Sequence, residues 1–225
     1  MTVVAVTGTD TAVGKTVVTA ALAAVQLSRG LRVAVVKPAQ TGMLPGEDGD
    51  LAEIRRLAGE VSLHEGVRLP DPLAPDAAAR VAALPLPSVA EQQELVGSVA
   101  REHDVVFVEG AGGLLVRLGD GYTLAEVVAP FRAPWVVVVR AGLGTLNHAE
   151  LTVAALRARG QEVAGTVVGW WPEEPGLAEE QNLLDLPRVT GVPLLGRVPA
   201  RAADLPPAEF RRLAPDWVED VPPPT

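Results

Sequence analysis

The residues best suited to chemistry form one glycine-rich segment near the start of the chain, Gly8-Thr9-Asp10-Thr11-Ala12-Val13-Gly14-Lys15-Thr16. An apolar strand pattern precedes this segment, and an alanine-rich helical pattern follows it. In such a loop, backbone N–H groups point at phosphate oxygens, and the lysine places a positive charge beside the terminal phosphates. The Thr16 hydroxyl is suited to ligate Mg²⁺. The segment therefore predicts a loop that binds nucleotide phosphates.

The spacing of this loop departs from the common pattern, in which four residues separate the first glycine from the Gly-Lys pair. Here five residues lie between Gly8 and Gly14, and Thr9 stands at the expected glycine position. The alternative is an ordinary helix start that contains Gly-Lys-Thr by chance. A strand, a loop and a helix in the required order favour the phosphate loop.

Two further charged residues close predicted strands. Lys37 lies in Val36-Lys37-Pro38-Ala39-Gln40-Thr41-Gly42, and Glu109 precedes the glycine-rich turn Gly110-Ala111-Gly112-Gly113. Ligands of open α/β sheets bind outside the carboxyl ends of the strands. We therefore favour an anion-binding role for Lys37 over a side chain that merely extends to solvent. Glu109 is a candidate second contact to Mg²⁺, and the alternative is a solvated carboxylate.

Asp50, at a predicted helix start, is the third candidate for the site. Such an aspartate often serves only as a helix cap, and the neighbouring Glu47 and Asp48 are alternatives to it as metal ligands. The three histidines, His64, His103 and His148, are far apart in sequence and favour packing or solvated roles. The pair Trp170-Trp171 is compatible with stacking on a nucleotide base or with a core or interface role.

Strand and helix patterns alternate along the chain. The predicted strands are Val3–Thr7, Arg32–Lys37, Asp104–Glu109, Trp135–Arg140, Val163–Trp170 and Leu194–Val198. The predicted helices are Lys15–Arg29, Asp50–Leu57, Ser88–Glu102, Leu124–Val128 and Leu146–Arg159. Residues 66–87 are predicted to be irregular, with a possible helical turn at Ala77–Ala83, and a surface tail is predicted from about residue 215. The pattern predicts a single α/β domain with a mostly parallel sheet and helices on both faces.

Composition narrows the class of protein. The 225 residues are 48% hydrophobic but only 4% aromatic, so the core must consist mainly of Ala, Val and Leu. The formal net charge is −9 and no block of basic residues is present, which argues against nucleic-acid binding. The absence of cysteine excludes disulfides and a cysteine nucleophile. With no secretory signal or membrane-length apolar run in the sequence, we expect a cytoplasmic protein without a membrane partner.

Four motifs resemble those of the dethiobiotin synthetase family in order and spacing. They are G-T-D-T-x-V-G-K-T in the phosphate loop, K-P-x-x-T-G at residues 37–42, E-G-A-G-G at 109–113 and L-G-T-L-N-H at 143–148. The resemblance extends from residue 1 to about Arg201. The last motif and the Gly-Trp-Trp-Pro stretch resemble the actinobacterial branch.

The resemblance implies a Mg²⁺-dependent ligase that uses ATP, with CTP or another nucleoside triphosphate as the alternative. The substrates would be 7,8-diaminononanoate and CO2 or bicarbonate, and the product would be the ureido ring of dethiobiotin, in the penultimate step of biotin synthesis. The active site would lie at the subunit interface of a homodimer.

The resemblance also implies roles for individual residues. Lys37, Lys15 and Thr11 would be catalytic, and Thr16, Asp50 and Glu109 would hold the metal. The nucleotide would contact Ala12, Val13, Gly14, Lys15, Thr16, Val17, Asp50, Glu109, Gly110, Ala111, Gly112, Gly169, Trp170, Pro199, Ala200 and Arg201. The diamine substrate would contact Thr11, Lys37, Thr41, Gly112, Leu143, Gly144, Leu146 and Asn147, with the last four contributed by the partner subunit.

Two positions depart from the family pattern. Ala12 replaces a glutamate found in many relatives, so any role of that carboxylate is absent. Gly169 stands where many relatives have an asparagine that reads the nucleotide base. This departure predicts weak or altered base discrimination, with the segment Pro199-Ala200-Arg201 as the alternative source of selectivity.

Three other functions compete with this interpretation. An amide ligase acting on a corrin precursor would carry a glutamine amidotransferase domain with a cysteine, which this chain lacks. A regulatory ATPase of the ParA/MinD type normally has an additional lysine near the start of its loop, where Thr9 and Asp10 stand. A nucleotide-binding domain without catalysis is disfavoured by the presence of Lys15, Thr16, Lys37 and Glu109.

Overall fold

A computed structural model describes residues 1–221 as alternating strands and helices. The strands are β1 (Thr2–Gly8), β2 (Val33–Thr41), β3 (Ser62–Leu69), β4 (Val105–Gly113), β5 (Trp135–Val139), β6 (Val163–Trp171) and β7 (Leu194–Pro199). The helices are α1 (Lys15–Ser28), α2 (Asp50–Ala58), α3 (Pro75–Ala82), α4 (Val89–Glu102), α5 (Leu124–Val128), α6 (Thr145–Arg157), α7 (Leu177–Thr190) and α8 (Pro207–Trp217). Within these residues, none of the helices combines the length and apolar character needed to cross a membrane.

The seven strands form one parallel sheet in the order β3-β2-β4-β1-β5-β6-β7. Strand β1 lies between β4 and β5, so the loop that follows β1 starts at the middle of the sheet. Because all strands are parallel, their carboxyl ends meet along one edge. This arrangement confirms the predicted α/β fold and brings the ends of β1, β2 and β4 side by side.

Aliphatic side chains fill the space on both faces of the sheet. Helices α1, α2 and α8 cover one face, and α4, α5, α6 and α7 cover the other. Successive residues of β1 alternate between the two layers, with Val4 and Val6 in the first and Val3 and Ala5 in the second. Helix α1 contributes a run of buried alanines, whose small side chains allow the helix to approach the sheet closely.

Two strands continue further than predicted. Strand β2 passes through Pro38 to Thr41, and β4 continues beyond Glu109 to Gly113. The pairing of β2 with β4 ends at Val36, while its pairing with β3 joins Lys37 to Glu65 and resumes at Ala39. Proline has no N–H to donate to a neighbouring strand. It is tolerated at residue 38 because the pairing with β4 has already ended there.

About half of residues 66–87, predicted to be irregular apart from a helical turn at Ala77–Ala83, lies in regular elements. Residues 62–69 form edge strand β3, and helix α3 begins at Pro75 and not near Ala77. Strand β3 escaped prediction because its sequence, SLHEGVRL, mixes polar and apolar residues without alternation, and most of its side chains are only half-buried.

Helices α7 and α8 were absent from the sequence prediction. Each contains an internal proline, Pro187 in α7 and Pro215 in α8, and proline normally argues against a helix. Residues 215–221 are packed and are not a surface tail: Val218 pairs with Gly196, and Val221 is buried. Residues 222–225 of that predicted tail lie outside the described residues.

A polar cluster joins the amino ends of three strands at the opposite edge of the sheet. The Asp104 carboxylate accepts hydrogen bonds from the backbone N–H of Arg32 at 2.9 Å and from its guanidinium at 2.9 and 3.1 Å. The Asp104 carbonyl accepts the N–H of Thr2 at 2.9 Å. The guanidinium and backbone N–H of Arg32 stabilise the ionised carboxylate and lower the pKa of Asp104 to about 2.

We expect Asp104 to titrate near pH 2 in the folded protein, well below the ordinary value of about 3.9. Because the folded-state pKa is depressed, the stability that this contact contributes is complete above pH ~3.9 and is lost as the pH falls through the folded pKa. Carbon-detected NMR of the carboxyl signal measures the midpoint directly. In Arg32→Ala the midpoint should rise towards the ordinary value, and an unchanged midpoint would contradict the assignment to Arg32.

Candidate active site

The phosphate loop connects the end of β1 at Gly8 to the start of α1 at Lys15. Gly14, with φ of 93°, is the residue before the first turn of α1, and that turn contains no acidic side chain. Ala12 also has a left-handed backbone, with φ of 55°. The Lys15 ammonium donates to the Asp10 carbonyl at 3.1 Å, so the lysine folds back over its own loop. The helix start and the lysine together present positive charge to an anion.

The phosphate loop rests directly on the end of β6. A Cβ built on Gly169 would lie 2.1 Å from the Val13 carbonyl oxygen, and one built on Gly14 would lie 2.4 Å from the Gly169 carbonyl oxygen. Both distances are far below van der Waals contact, so this approach requires glycine at both positions. Gly169 is thus buried beneath the loop.

Lys37 in β2, Glu109 in β4 and Asp50 at the start of α2 form one charged cluster. The Lys37 ammonium contacts Glu109 Oε1 at 2.8 Å, Asp50 Oδ2 at 2.5 Å and the Gly110 carbonyl at 3.2 Å. Lys37 is 3% exposed and Glu109 is fully buried, whereas the Asp50 side chain is 35% exposed. This geometry is consistent with the prediction from the sequence that these three residues belong to one site.

Hydroxyl groups from α1 complete the surroundings of Glu109. Thr16 Oγ1 donates to Glu109 Oε1 at 3.3 Å, and Thr19 Oγ1 donates to Oε2 at 2.5 Å. With Lys37, the buried carboxylate therefore has three side-chain donors, as a buried charge requires. Thr19 was not predicted, although it lies one turn after Thr16 on the same face of the helix.

The two lysines differ in electrostatic surroundings. Burial lowers the pKa of Lys15, and the nearby Lys37 ammonium lowers it further. Burial also opposes the charge on Lys37, but Glu109 and Asp50 outweigh it and raise the pKa of Lys37 above its ordinary value. Burial similarly opposes ionisation of Asp50, and the Lys37 ammonium more than offsets it, so the pKa of Asp50 is lowered. Lys37 is consequently held as a cation and Asp50 as an anion.

Gln40 is a site residue that the sequence prediction missed. Its side chain is buried, and its Oε1 accepts the Asp50 backbone N–H at 3.0 Å. The amide group donates in turn to the Thr41 carbonyl at 3.2 Å. Gln40 therefore fixes the start of α2 against β2 and holds the Asp50 carboxylate near Lys37. Its position within the K-P-x-x-T-G motif is the sequence feature from which a site role could have been predicted.

A pocket of about 450 Å³ opens between the phosphate loop and the end of β2. Ten predicted site residues line it, namely Thr11, Ala12, Gly14, Lys15, Thr16, Lys37, Thr41, Asp50, Ala111 and Gly112. The remaining lining residues, Ala39, Gln40 and Met43, were not predicted as site residues. The pocket combines cationic, anionic and hydroxyl groups, and its volume is within the range of small-molecule binding sites.

Other predicted site residues lie outside this lining. Val13 is a loop residue that is buried, and Val17 is in α1. Glu109 and Gly110 lie behind Lys37. Trp170, at the end of β6, is 56% exposed, and Leu143, in the β5–α6 loop, is 89% exposed. The segment Pro199-Ala200-Arg201 reaches β6 through a hydrogen bond from the Ala200 N–H to the Trp171 carbonyl at 2.7 Å.

The donors around Lys37 suit a hard cation. Thr16 supplies a hydroxyl, and Asp50 and Glu109 supply carboxylates, all oxygen groups of the kind that Mg²⁺ prefers beside nucleotide phosphates. Among residues 1–221, no group of three or more His, Asp or Glu side chains has the arrangement of a metal site made by protein alone. A metal bound here would therefore need further oxygen ligands from phosphate or water, which fits a nucleotide-linked ion.

The three histidines are not part of this cluster. His64 and His103 face each other at the amino-end side of the sheet, with ring centroids 6.2 Å apart. His148 is exposed in the first turn of α6. Trp171 packs against the Arg197 guanidinium, 5.0 Å from its ring centroid.

The parallel sheet and the glycine-rich loop opening α1 define a P-loop nucleotide-binding protein. A family model described as an AAA domain matches residues 2–206. The ATP-dependent dethiobiotin synthetase BioD of Rhodococcus jostii (strain RHA1) is 56% identical over 222 residues, which cover 98% of this chain and 96% of the relative. The protein of the same name from Saccharopolyspora erythraea is 59% identical over 214 residues, which cover 95% and 94%. The chain therefore belongs to the ATP-dependent dethiobiotin synthetase family and is an ATP-dependent ligase.

Solved structures support the fold at much lower sequence identity. The septum site-determining protein MinD complexed with Mg-ADP from Pyrococcus horikoshii OT3 has a TM-score of 0.62 and 15% identity, covering 96% of this chain and 95% of that one. A ParA family ATPase from Chlorobium tepidum TLS has a TM-score of 0.58 and 14% identity, covering 96% and 92%. This similarity confirms a P-loop fold and carries no conclusion about activity.

The contact between Gly169 and the phosphate loop generates a prediction. Gly169→Ala should displace Val13 and Gly14 and weaken MgADP binding by roughly tenfold, because a close-packed contact of this kind leaves no room for a methyl group. Isothermal titration calorimetry measures the affinity.

The matched control for this substitution is Gly97→Ala in α4. There the added methyl would lie 3.7 Å from the Phe131 ring, which is ordinary contact, and we expect unchanged MgADP affinity. Equal affinities in the two variants would show that the loop does not depend on the glycine at 169.

Proposed function

We propose that this chain is a dethiobiotin synthetase that closes a ureido ring on 7,8-diaminononanoate, with CO2 as the carbon source and a nucleoside triphosphate as the energy source. The products are dethiobiotin, nucleoside diphosphate and phosphate, in the penultimate step of biotin synthesis in the cytoplasm. The observation that carries the proposal is the Lys37 ammonium, held between Asp50 and Glu109, in the same pocket as the phosphate loop. Membership of the family supports it.

The reaction divides into three bond changes. One amine of the diamine adds to CO2 and loses a proton, giving a carbamate. A carbamate oxygen attacks the γ-phosphorus and the nucleoside diphosphate leaves, giving a carbamic–phosphoric anhydride. The second amine then attacks the carbonyl carbon, phosphate leaves with the bonding electrons, and the amine loses its proton as the ring closes. This last step is intramolecular, so holding both amines in place supplies much of the acceleration.

Lys15 and Lys37 provide the fixed positive charge that these steps need. Lys15, in the phosphate loop, neutralises the terminal phosphates. Lys37 lines the opposite side of the pocket and stabilises the carbamate and the phosphoryl group in transfer, where negative charge accumulates. Its raised pKa keeps the ammonium charged throughout the neutral and mildly alkaline range.

Thr16, Asp50 and Glu109 are the groups that would hold Mg²⁺. When bound, the ion neutralises charge on the β- and γ-phosphates and aligns them for transfer. Gln40 keeps Asp50 in place through the backbone of α2, so the metal-facing carboxylate does not depend on the ligand for its position.

Thr11, Thr41 and the backbone at Gly112 are proposed to line the diamine and carbamate site. Thr11 and Gly112 lie on the phosphate-loop side of the pocket, while Thr41 ends β2 on the other side. Gly112 has φ of 62°, and a Cβ there would lie 3.1 Å from Val116. Glycine leaves the backbone N–H and carbonyl at this turn open to the substrate.

A second copy of the chain is proposed to complete the substrate site. Leu143, Gly144, Leu146 and Asn147 lie outside the pocket lining, and Leu143 is 89% exposed. Helix α6 begins at Thr145 after Gly144, without an acidic residue in its first turn, so its positive end suits a carboxylate. A homodimer that places this helix start over the neighbouring pocket brings the substrate carboxylate to it.

The nucleotide base is proposed to lie near Gly169, Trp170 and the segment Pro199-Ala200-Arg201. With no side chain at residue 169, base recognition falls to backbone groups and to neighbouring side chains. Backbone groups distinguish bases less sharply than a side-chain amide that pairs with one base edge. We therefore infer that CTP and GTP support the reaction as well as ATP does, within about tenfold.

The principal test is phosphate release by the purified protein with MgATP, with and without 7,8-diaminononanoate and bicarbonate, followed by mass spectrometry of the product. Release should depend on the diamine, and the product should be heavier than the diamine by one carbonyl and lighter by two hydrogens. CTP and GTP are measured in parallel. Nucleotide turnover that ignores the diamine would reject the proposal and favour a regulatory ATPase of the ParA/MinD type.

The metal role of Asp50 is tested separately. Asp50→Asn should raise the Mg²⁺ concentration needed for half-maximal activity by roughly tenfold, because a carboxylate ligand becomes a neutral amide. Mg²⁺ titrations of diamine-dependent phosphate release measure this. Asp48→Asn is the matched control, since Asp48 is exposed in the loop before α2 and was the sequence-level alternative. A Mg²⁺ requirement that shifts in Asp48→Asn but not in Asp50→Asn would reverse the assignment.

A further inference from the structure

The β5–α6 loop, residues 140–144, connects the centre of the sheet to the helix start that the proposed function assigns to the substrate carboxylate. Its first residue, Arg140, and its last two, Leu143 and Gly144, are exposed. Gly144 has φ of 88°. Ala141 is buried, and Gly142 is half-buried. Besides a hydrogen bond from the Thr145 N–H to the Gly142 carbonyl at 3.3 Å, contacts with other parts of the chain fix the course of this loop.

Asn182 supplies the main contact of this kind. Its side-chain amide donates to the Ala141 carbonyl at 2.7 Å and to the Gly142 carbonyl at 3.1 Å, so one group holds two consecutive carbonyls. Asn182 lies inside α7 and is only 7% exposed. Asparagine is a weak helix former, and leucine would suit a buried helical position better on propensity alone. The contacts of its amide with the loop give a reason for its presence.

One turn earlier on α7, Glu179 shapes the same loop. A Cβ built on Gly142 would lie 3.1 Å from Glu179 Oε1. The other carboxylate oxygen accepts the Gly176 N–H at 3.1 Å, which fixes the side chain across the start of α7. Gly142 therefore packs closely against Glu179 while the Asn182 amide holds its carbonyl.

The other side of the loop is tied to the phosphate loop. The Arg140 guanidinium contacts Asp10 Oδ2 at 2.8 Å, and Asp10 Oδ1 accepts the Thr11 N–H at 2.7 Å. The Arg140–Asp10 pair is about half exposed, so it is a weak constraint by itself. The bond from Asn182 to the Ala141 carbonyl is stronger, because it is buried and a buried carbonyl that loses its donor is not rescued by water. The bond to the Gly142 carbonyl is partly buried, and that carbonyl also accepts the Thr145 N–H at 3.3 Å.

We propose that Asn182 is a positioning residue for recognition of the substrate carboxylate. It fixes residues 141 and 142, and through them the direction in which α6 begins and the place of Leu143 to Asn147. This inference rests on the proposed function, since it is the carboxylate end of the diamine that the helix start would bind. Asn182 makes no contact with the phosphate-loop pocket, so nucleotide binding does not depend on it.

The test compares two diamines in wild-type protein and in Asn182→Leu, which keeps the number and branching of the side-chain heavy atoms but removes the N–H donors. One substrate is 7,8-diaminononanoate, and the other is 2,3-diaminooctane, the same vicinal diamine with hydrogen in place of the carboxylate. In Asn182→Leu, the KM for the acid should rise by roughly tenfold, with a smaller change in kcat. The KM for 2,3-diaminooctane and the affinity for MgADP should stay within about twofold of wild type, since neither ligand uses the carboxylate site.

Two further variants complete the experiment. Asn182→Ala removes the same donors with the residue that best favours a helix. It should raise the KM for the acid in the same selective way, and it gives the answer if Asn182→Leu does not fold. Gln181→Ala, at the exposed position next to Asn182 on α7, should behave as wild type.

The outcomes separate the two proposals. The role of Asn182 alone would be overturned if wild-type protein shows diamine-dependent turnover and the KM for the acid is unchanged in both Asn182→Leu and Asn182→Ala. An equal rise in KM for both diamines would also overturn it, because a general structural defect does not discriminate between them. Wild-type protein without diamine-dependent turnover would overturn the proposed function and, with it, this role.

Discussion

The buried ammonium of Lys37 is the constraint on which the rest of the site depends. An isolated charge so far from water is strongly unfavourable, and Lys37 is tolerated because Glu109 and Asp50 approach it from two directions. One carboxylate comes from β4 and the other from the start of α2, so strand register and helix placement must agree to within an ångström or so. The fully buried Glu109 has no other cation within hydrogen-bonding distance among its described partners, and it depends on Lys37 as much as Lys37 depends on it.

The parallel sheet meets this requirement because it brings several strand ends to one edge. Strands β2, β4 and β1 are consecutive neighbours, and they deliver Lys37, Glu109 and the phosphate loop respectively. The loop is then supported from the other side by Gly169, at the end of β6. Charged side chains thus lie at the edge of the sheet where backbone N–H groups and a helix start already favour anions. The rest of the sheet carries aliphatic side chains that pack against the helices.

Much of this arrangement could be predicted from the sequence because it rests on local patterns. The Gly-Lys-Thr loop, the apolar strands and the Ser88 capping box each depend on residues within a few positions of one another. What could not be predicted depends on distant partners. Pro38 continues a strand only because β4 pairing has already ended, and β3 forms from a half-polar sequence because β2 offers it an edge. Gln40 and Asn182 acquire their roles only when α2 and the β5–α6 loop are brought beside them.

The position of β1 in the middle of the sheet has a consequence for how the chain is made. The first strand pairs with β4, which begins at Val105, and with β5, which ends at Val139. At ribosomal elongation rates of about 5–20 residues per second, β1 waits several seconds for its neighbours to emerge. During that interval an apolar strand and the alanine-rich α1 have no sheet to cover them. The nascent chain is therefore most exposed to aggregation and to chaperone binding at the segment that will later hold the nucleotide, and a pause in translation before residue 105 would prolong that exposure.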